Sequence, residues 1–167
     1  MHFTKTILAV ALAFAVSPIA AAPAGAESAI EARANTVTCK TTLSGKAKSY
    51  TVSVDTAKSE AIKIGFTHGS SKSDYPHPYG DKEKLWAKDV NEQGKCNSKK
   101  NMLEYPIYWV GSKDTAWKPD EKKNKQNSTP IRVVYSNLNG VVHYCGVMIH
   151  EKVDAKNSGS GDFVLCK

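Results

Sequence analysis

A chain of 167 residues with 41% hydrophobic residues and a net charge of +7 has room for a leader and one ordinary domain, which excludes a multidomain enzyme. Its basic balance favours polyanions such as RNA or acidic lipid surfaces, although many secreted proteins are basic merely for solubility. Beyond the apolar run at its start, no stretch is long and apolar enough to cross a membrane as a helix.

The start of the chain has the pattern of an export signal. Lys5 supplies a positive charge, residues 7–16 are an unbroken apolar run, and mostly small residues follow over 20–26. Removal after residue 22, or as late as 26, leaves a short polar piece, 23–33, that ends in Glu31, Ala32 and Arg33. Read as a propeptide, it precedes a single domain, 34–167, in a secreted protein, and the +7 charge survives its loss.

All four cysteines (Cys39, Cys96, Cys145 and Cys166) lie in that domain. An even number in an exported chain points to two disulfides, with three pairings open. A bridge from Cys39 to Cys166 ties the two ends together. Neither a Cys-x-x-Cys nor a His-x-x-x-His spacing occurs, so no metal site is expected, and no cofactor.

In chain order, β-branched residues at 37–40 and 50–54, either side of a turn with Gly45, predict an amino-terminal hairpin. Asp55 is placed to cap a helix over 56–64 that stops at Gly65. Residues 67–100 are rich in Gly, Ser, Lys and Asp with little periodicity, and predict long exposed loops around Tyr75, Pro76 and His77. Strand patterns follow at 103–110, 131–136 and 141–150, the last two joined by a tight Asn139-Gly140 turn. Between the first two lies a second loop, 113–130. It carries Lys118, Lys122, Lys123 and Lys125, and a glycosylation sequon at Asn127 with Pro130 just beyond it. A short strand at 163–166 completes an α+β domain: one α-helix packed on a twisted central antiparallel sheet.

Three residues on the expected strands form a chemical set: Glu104, His150 and, between them, Arg132. RNA brings its own nucleophile, the ribose 2′-hydroxyl, so cutting it requires only a base, an acid and a positive cradle. A carboxylate takes the hydroxyl proton, an imidazolium protonates the departing oxygen, and a guanidinium offsets charge on the phosphate. Each residue also has a plain reading: Glu104 on a solvent face, His150 as a strand-end histidine, Arg132 paired with a surface acid. His77 lies between Pro76 and Pro78, where the backbone is restricted. The strands' alternation leaves open whether the set shares one face.

Taken together, the segments around Tyr75-Pro76-His77, Glu104-Tyr105-Pro106-Ile107, Arg132-Val133-Val134-Tyr135, Cys145 to His150 and Phe163 to Cys166 resemble the fungal guanyl-specific ribonucleases and their ribotoxin relatives, alpha-sarcin among them. Leu103 to Gly111 and Thr129 to Tyr135 are similar to the compact hirsutellin and anisoplin type of insect-pathogenic fungi. The resemblance covers essentially all of 34–167.

The resemblance implies a metal-independent endoribonuclease that cleaves the sarcin–ricin loop of large-subunit ribosomal RNA through a cyclic phosphate. Glu104 is then the general base and His150 the general acid, with His77 an electrostatic support or auxiliary base. Arg132 and Tyr75 hold the phosphate with Tyr135 next to them, and Phe163 shapes the site near the acid. The hirsutellin type places an aspartate immediately before the Pro-His pair, where this chain has Tyr75 preceded by Asp74, so Asp74 is a further substrate-binding candidate. The implied disulfides are Cys39–Cys166 and Cys96–Cys145. The implied partners are ribosomes and, transiently, acidic phospholipid membranes, the toxin acting as a monomer in the target cell's cytosol. Two alternatives remain: a general guanine-preferring secreted ribonuclease, and a non-catalytic RNA-binding effector.

Overall fold

The computed structural model describes residues 35–86, 94–96 and 101–167. The expected leader and propeptide, and part of the 67–100 loop, lie outside the described residues.

Strands β1 (Thr36–Leu43) and β2 (Lys46–Ser53) form the amino-terminal hairpin, paired antiparallel with Cys39 opposite Tyr50. Their alternating threonines and lysines carry the ladder further than the β-branched clusters alone suggested, as far as a two-residue turn at Ser44 and Gly45. Helix α1 (Val54–Ile64) follows directly. Its cap is Ser53 rather than Asp55: the Ser53 hydroxyl accepts the Thr56 N–H at 3.1 Å. Asp55 instead sits in the first turn, where its charge opposes the helix dipole's positive end. The helix buries one stripe, Val54, Ala57, Ala61 and Ile64, at the spacing of a single helical face. Gly65 ends it, its N–H returning to the Ala61 carbonyl.

The remaining strands are β3 (His77–Pro78), β4 (Met102–Pro106), β5 (Ile131–Leu138), β6 (Val141–Val153) and β7 (Gly159–Leu165). The sheet runs β2-β1-β6-β5-β4-β3, with β7 on the other edge of β6. Pairing from β3 to β7 is antiparallel. The hairpin joins through a short parallel contact, Thr42 and Leu43 beside Lys152 and Val153. The sheet is therefore mixed at that seam. β4 stops earlier than its apolar pattern: after Pro106 the chain bends away, and Val110 donates its N–H to the Thr51 carbonyl of the hairpin. β3, in the stretch expected as loop, is a two-residue strand opposite Glu104 and Leu103.

Alternation splits the sheet's side chains between two cores. Leu103, Tyr105, Ile131, Val133, Tyr135, Val147 and Ile149 meet Ala57, Ala61 and Ile64 of the helix. Each fully buried aliphatic side chain contributes roughly 1.5–3 kcal/mol. Met102, Val134 and Met148 face the other way and pack with Tyr79, Trp86 and the Cys96–Cys145 disulfide. The second disulfide, Cys39–Cys166, ties the first strand to the chain's end, 127 residues later. Both pairings are those the resemblance implied.

Candidate active site

Glu104 on β4 lies opposite His77 on β3 and Val134 on β5. Arg132, two residues from Val134, lies opposite Met148 on β6, and His150, two beyond Met148, lies opposite Phe163 on β7. Side chains two apart on a strand, or directly opposed across a ladder, share a face. His77, Glu104, Arg132, His150 and Phe163 therefore all rise from the face away from the helix. Arg132 stands on the strand between the carboxylate and the imidazole.

Glu104 is 9% exposed. One carboxylate oxygen lies 3.7 Å from His77 Nδ1, beyond hydrogen-bond length but within reach of an ion pair if the imidazole carries a proton. The other, Oε2, is buried with no hydrogen-bond partner among the described residues. Such an orphan is costly in a fold and marks an acceptor reserved for something other than the protein's own groups. The His77 ring stacks on Tyr75 with centroids 4.0 Å apart, which fixes its plane beside the carboxylate.

Arg132 is held rigidly. Its Nη1 donates to the carbonyls of Thr129 and Ile131 at 2.7 and 2.9 Å, and Nη2 donates to the Tyr75 hydroxyl at 3.0 Å. These acceptors are neutral, so the guanidinium keeps its full charge for an anion, while its buried Nε has no hydrogen-bond partner among the described residues. The Tyr75 ring also lies 5.2 Å from the guanidinium carbon, a cation–π contact. Since the phenol oxygen accepts from Arg132, its own hydrogen remains available to donate.

His150 Nδ1 lies 3.0 Å from the Gly161 carbonyl. A carbonyl only accepts, so Nδ1 carries the hydrogen and Nε2 is the nitrogen that gains and gives a proton. The Phe163 ring lies 3.9 Å from the imidazole and keeps water from one side of it. Burial pushes the His150 pKa below its ordinary 6.5; the Gly161 carbonyl opposes that shift, Arg132 adds to it, and Glu104 and Glu83 oppose it.

Of the remaining expected residues, Tyr135 is a correction. It is fully buried on the helix side of the sheet, its hydroxyl donating to the Gly65 carbonyl at 2.8 Å. Strand parity places it opposite Leu103, turned away from Arg132. Asp74 is exposed and lines a cleft of about 600 Å³ with Lys72, Lys122, Lys123 and Asn124. It lies next to the site through Tyr75, whose ring has Lys123 Nζ 5.7 Å from its centroid. Asn127 is exposed and donates to Asp114.

Sequence reading passed over Glu83. One of its oxygens accepts the Tyr79 hydroxyl at 3.1 Å, and the other lies 3.4 Å from the Phe163 N–H. Burial above all, and Glu83 next, raise the Tyr79 pKa, so Tyr79 stays a phenol. Nothing around Lys82-Glu83-Lys84 distinguishes this acid from an ordinary solvated loop residue. Thr129 was passed over too: its hydroxyl donates to the Ile107 carbonyl at 2.6 Å, anchoring the carbonyl that Arg132 grips.

A family model described as ribonuclease matches residues 34–167. No curated protein matches the chain. Among solved structures, hirsutellin A from Hirsutella thompsonii is 42% identical, with a TM-score of 0.64 over 80% of this chain and 100% of that one. Restrictocin, described as a highly specific Aspergillus ribotoxin, is 25% identical with a TM-score of 0.56, over 79% of this chain and 99% of its own. Restrictocin complexed with a 29-mer sarcin/ricin domain RNA analog gives a TM-score of 0.58 at 24% identity, over 79% and 99%.

Proposed function

Because this chain belongs to the ribonuclease family and, within it, to the fungal ribotoxins, we propose that it cuts one phosphodiester in the sarcin–ricin loop of large-subunit ribosomal RNA and so stops translation. The observation that carries the reading is the common face of Glu104, Arg132 and His150, on three successive strands.

In this mechanism Glu104 accepts the proton of the ribose 2′-hydroxyl. The freed oxygen attacks phosphorus, the bond to the 5′-oxygen breaks, and His150 Nε2 gives its proton to that oxygen. The products are a 2′,3′-cyclic phosphate and a 5′-hydroxyl. Arg132 and the Tyr75 hydroxyl receive the charge that builds on the phosphate oxygens, where a preorganised donor is most effective. His77 steadies the Glu104 charge and serves as auxiliary base. The three groups are those the chemistry requires, with no metal in the scheme.

Target choice rests on the basic loops. The cleft walled by Lys72, Lys122 and Lys123 adjoins Tyr75, so RNA held at the site has its neighbouring phosphates within reach of ammonium groups. The complex of restrictocin with a sarcin/ricin domain RNA analog supports the same target here. The wider proposal is a secreted, insecticidal monomer, processed at its leader and propeptide, that crosses acidic membranes before meeting ribosomes. Binding to anionic vesicles in preference to neutral ones supports that route, and equal binding to both counts against it.

The test is incubation with intact ribosomes. A single discrete fragment released from large-subunit RNA supports the proposal. A smear of fragments identifies a general guanine-preferring nuclease instead, and no cleavage a binding protein.

A further inference from the structure

The constraint on His150 that sequence patterns did not reveal comes from a residue without a side chain. Gly159 opens β7, directly after the β6–β7 turn. Its backbone does not occupy the left-handed region, so conformation alone would permit any residue there. Space does not. A Cβ built on Gly159 overlaps His150 Cδ2 and stands 2.6 Å from Cγ and 2.8 Å from Cβ of the same histidine. Because the crowded atoms include the root of the side chain, rotating the imidazole does not clear the clash.

We propose that Gly159 is a positioning residue for the acid: its bare backbone is the seat on which the His150 ring lies, and the seat sets the direction of Nε2. The inference rests on the reading of His150 as the proton donor. Cδ2, the atom against Gly159, is bonded to Nε2, so a shift there moves the proton-giving atom directly. The ring's other contacts complete the seat: Phe163 stacks against it, and Gly161 presents its carbonyl to Nδ1. That carbonyl is aimed by a positive φ of 78° at Gly161, in the register shift between β6 and β7. Such a conformation is one that glycine adopts at little cost.

The turn before Gly159 is braced, so strain introduced there falls on the imidazole. Asp154 Oδ1 accepts the N–H groups of Lys156 and Ser158, both at 2.8 Å. Asn157 Oδ1 accepts from Lys48 Nζ at 3.0 Å and from the Tyr50 hydroxyl at 2.7 Å, both on β2. Ser158 meets Ser128 across the long loop at 3.1 Å. The amino-terminal hairpin thereby holds the segment that seats the acid.

The experiment compares Gly159→Ala with its exposed neighbour's substitution, Ser160→Ala, in the full secreted enzyme. It follows kcat and KM on a short RNA oligonucleotide and the His150 ring titration by proton NMR. Gly159→Ala is expected to lower kcat by about a hundredfold, the effect of a displacement near 1 Å. KM should stay within about twofold, since phosphate binding by Arg132 is untouched, and the His150 titration should shift. Ser160→Ala should change none of these. An unmoved titration and unchanged kcat in Gly159→Ala overturn the seat. A shifted titration with unchanged kcat leaves the seat standing but removes His150 as the acid. Should Gly159→Ala fail to fold, Asn157→Ala loosens the turn without a clash. It should lower kcat in the same sense, and an unaltered kcat and titration there overturn the proposal.

Discussion

His77, the first residue of β3, faces Glu104, the middle residue of β4, with Nδ1 and Oε1 3.7 Å apart, while the second Glu104 oxygen has no hydrogen-bond partner among the described residues. In the proposed mechanism the histidine supports one half of the carboxylate and leaves the other half to take a proton.

Replacing Glu104 by Gln should lower kcat by about 10²- to 10⁴-fold, the range for loss of a general base. The thermal midpoint should hold or rise, because the isosteric amide carries no charge into a buried position. Measured turnover on a defined RNA within a few-fold of wild type would assign the base elsewhere. Adding His77→Gln to Glu104→Gln should lower the residual rate again if His77 is an auxiliary base.

Tyr75 and Tyr135 should separate cleanly. Tyr75→Phe removes the acceptor of the Arg132 Nη2 bond and a donor facing the phosphate, and should reduce kcat by about tenfold or more. Tyr135→Phe removes only the bond to the Gly65 carbonyl on the far face. It should cost about 1 kcal/mol of stability with kcat unchanged. Kinetics and denaturant melts on both variants test this, and a kcat loss in Tyr135→Phe alone would reverse the placement.

Arg132→Lys keeps the charge yet cannot make the three bonds to Thr129, Ile131 and Tyr75 together. Turnover should therefore fall by about a hundredfold. Restoration of wild-type rates by lysine would show that a point charge suffices.

His150 makes stability depend on pH. Its folded pKa lies below the ordinary 6.5, chiefly through burial, so between the two values the unfolded chain holds the proton and the folded chain does not. The full contribution is present above the ordinary value and is lost as pH falls through the folded one. Melting of wild type and His150→Gln on acidification should show the wild type losing more stability across that window. Parallel curves would mean that burial leaves this group unperturbed. A bound phosphate anion favours the protonated ring, so RNA binding there should take up a proton.

The strand content was legible because 131–136 and 141–150 are apolar runs rich in β-branched residues, joined by an Asn139-Gly140 turn, and the helix because a capping residue and Gly65 bracket it. Register was not. Only the pairing of Arg132 with Met148 and of His150 with Phe163 puts the acid beside the arginine, and turn signals do not encode it. The disulfide pairing came through family resemblance. Ser53 displaced Asp55 as cap because the strand runs straight into the helix, leaving no loop residue between them. Tyr135 was carried over by motif, whereas its parity relative to Arg132 already placed it on the opposite face. Glu83 and Gly159 escaped notice for opposite reasons: one looks like any loop acid, and the other acts by having no side chain.

The central claim is that Glu104 and His150 work at opposite ends of one phosphodiester, and leaving-group substitution separates their roles. In an RNA whose scissile 5′-oxygen is replaced by sulfur, the departing thiolate needs little protonation. His150→Gln should then cleave this substrate at close to the wild-type rate while Glu104→Gln remains inactive. Recovery by Glu104→Gln, or no recovery by His150→Gln, would contradict the assignment.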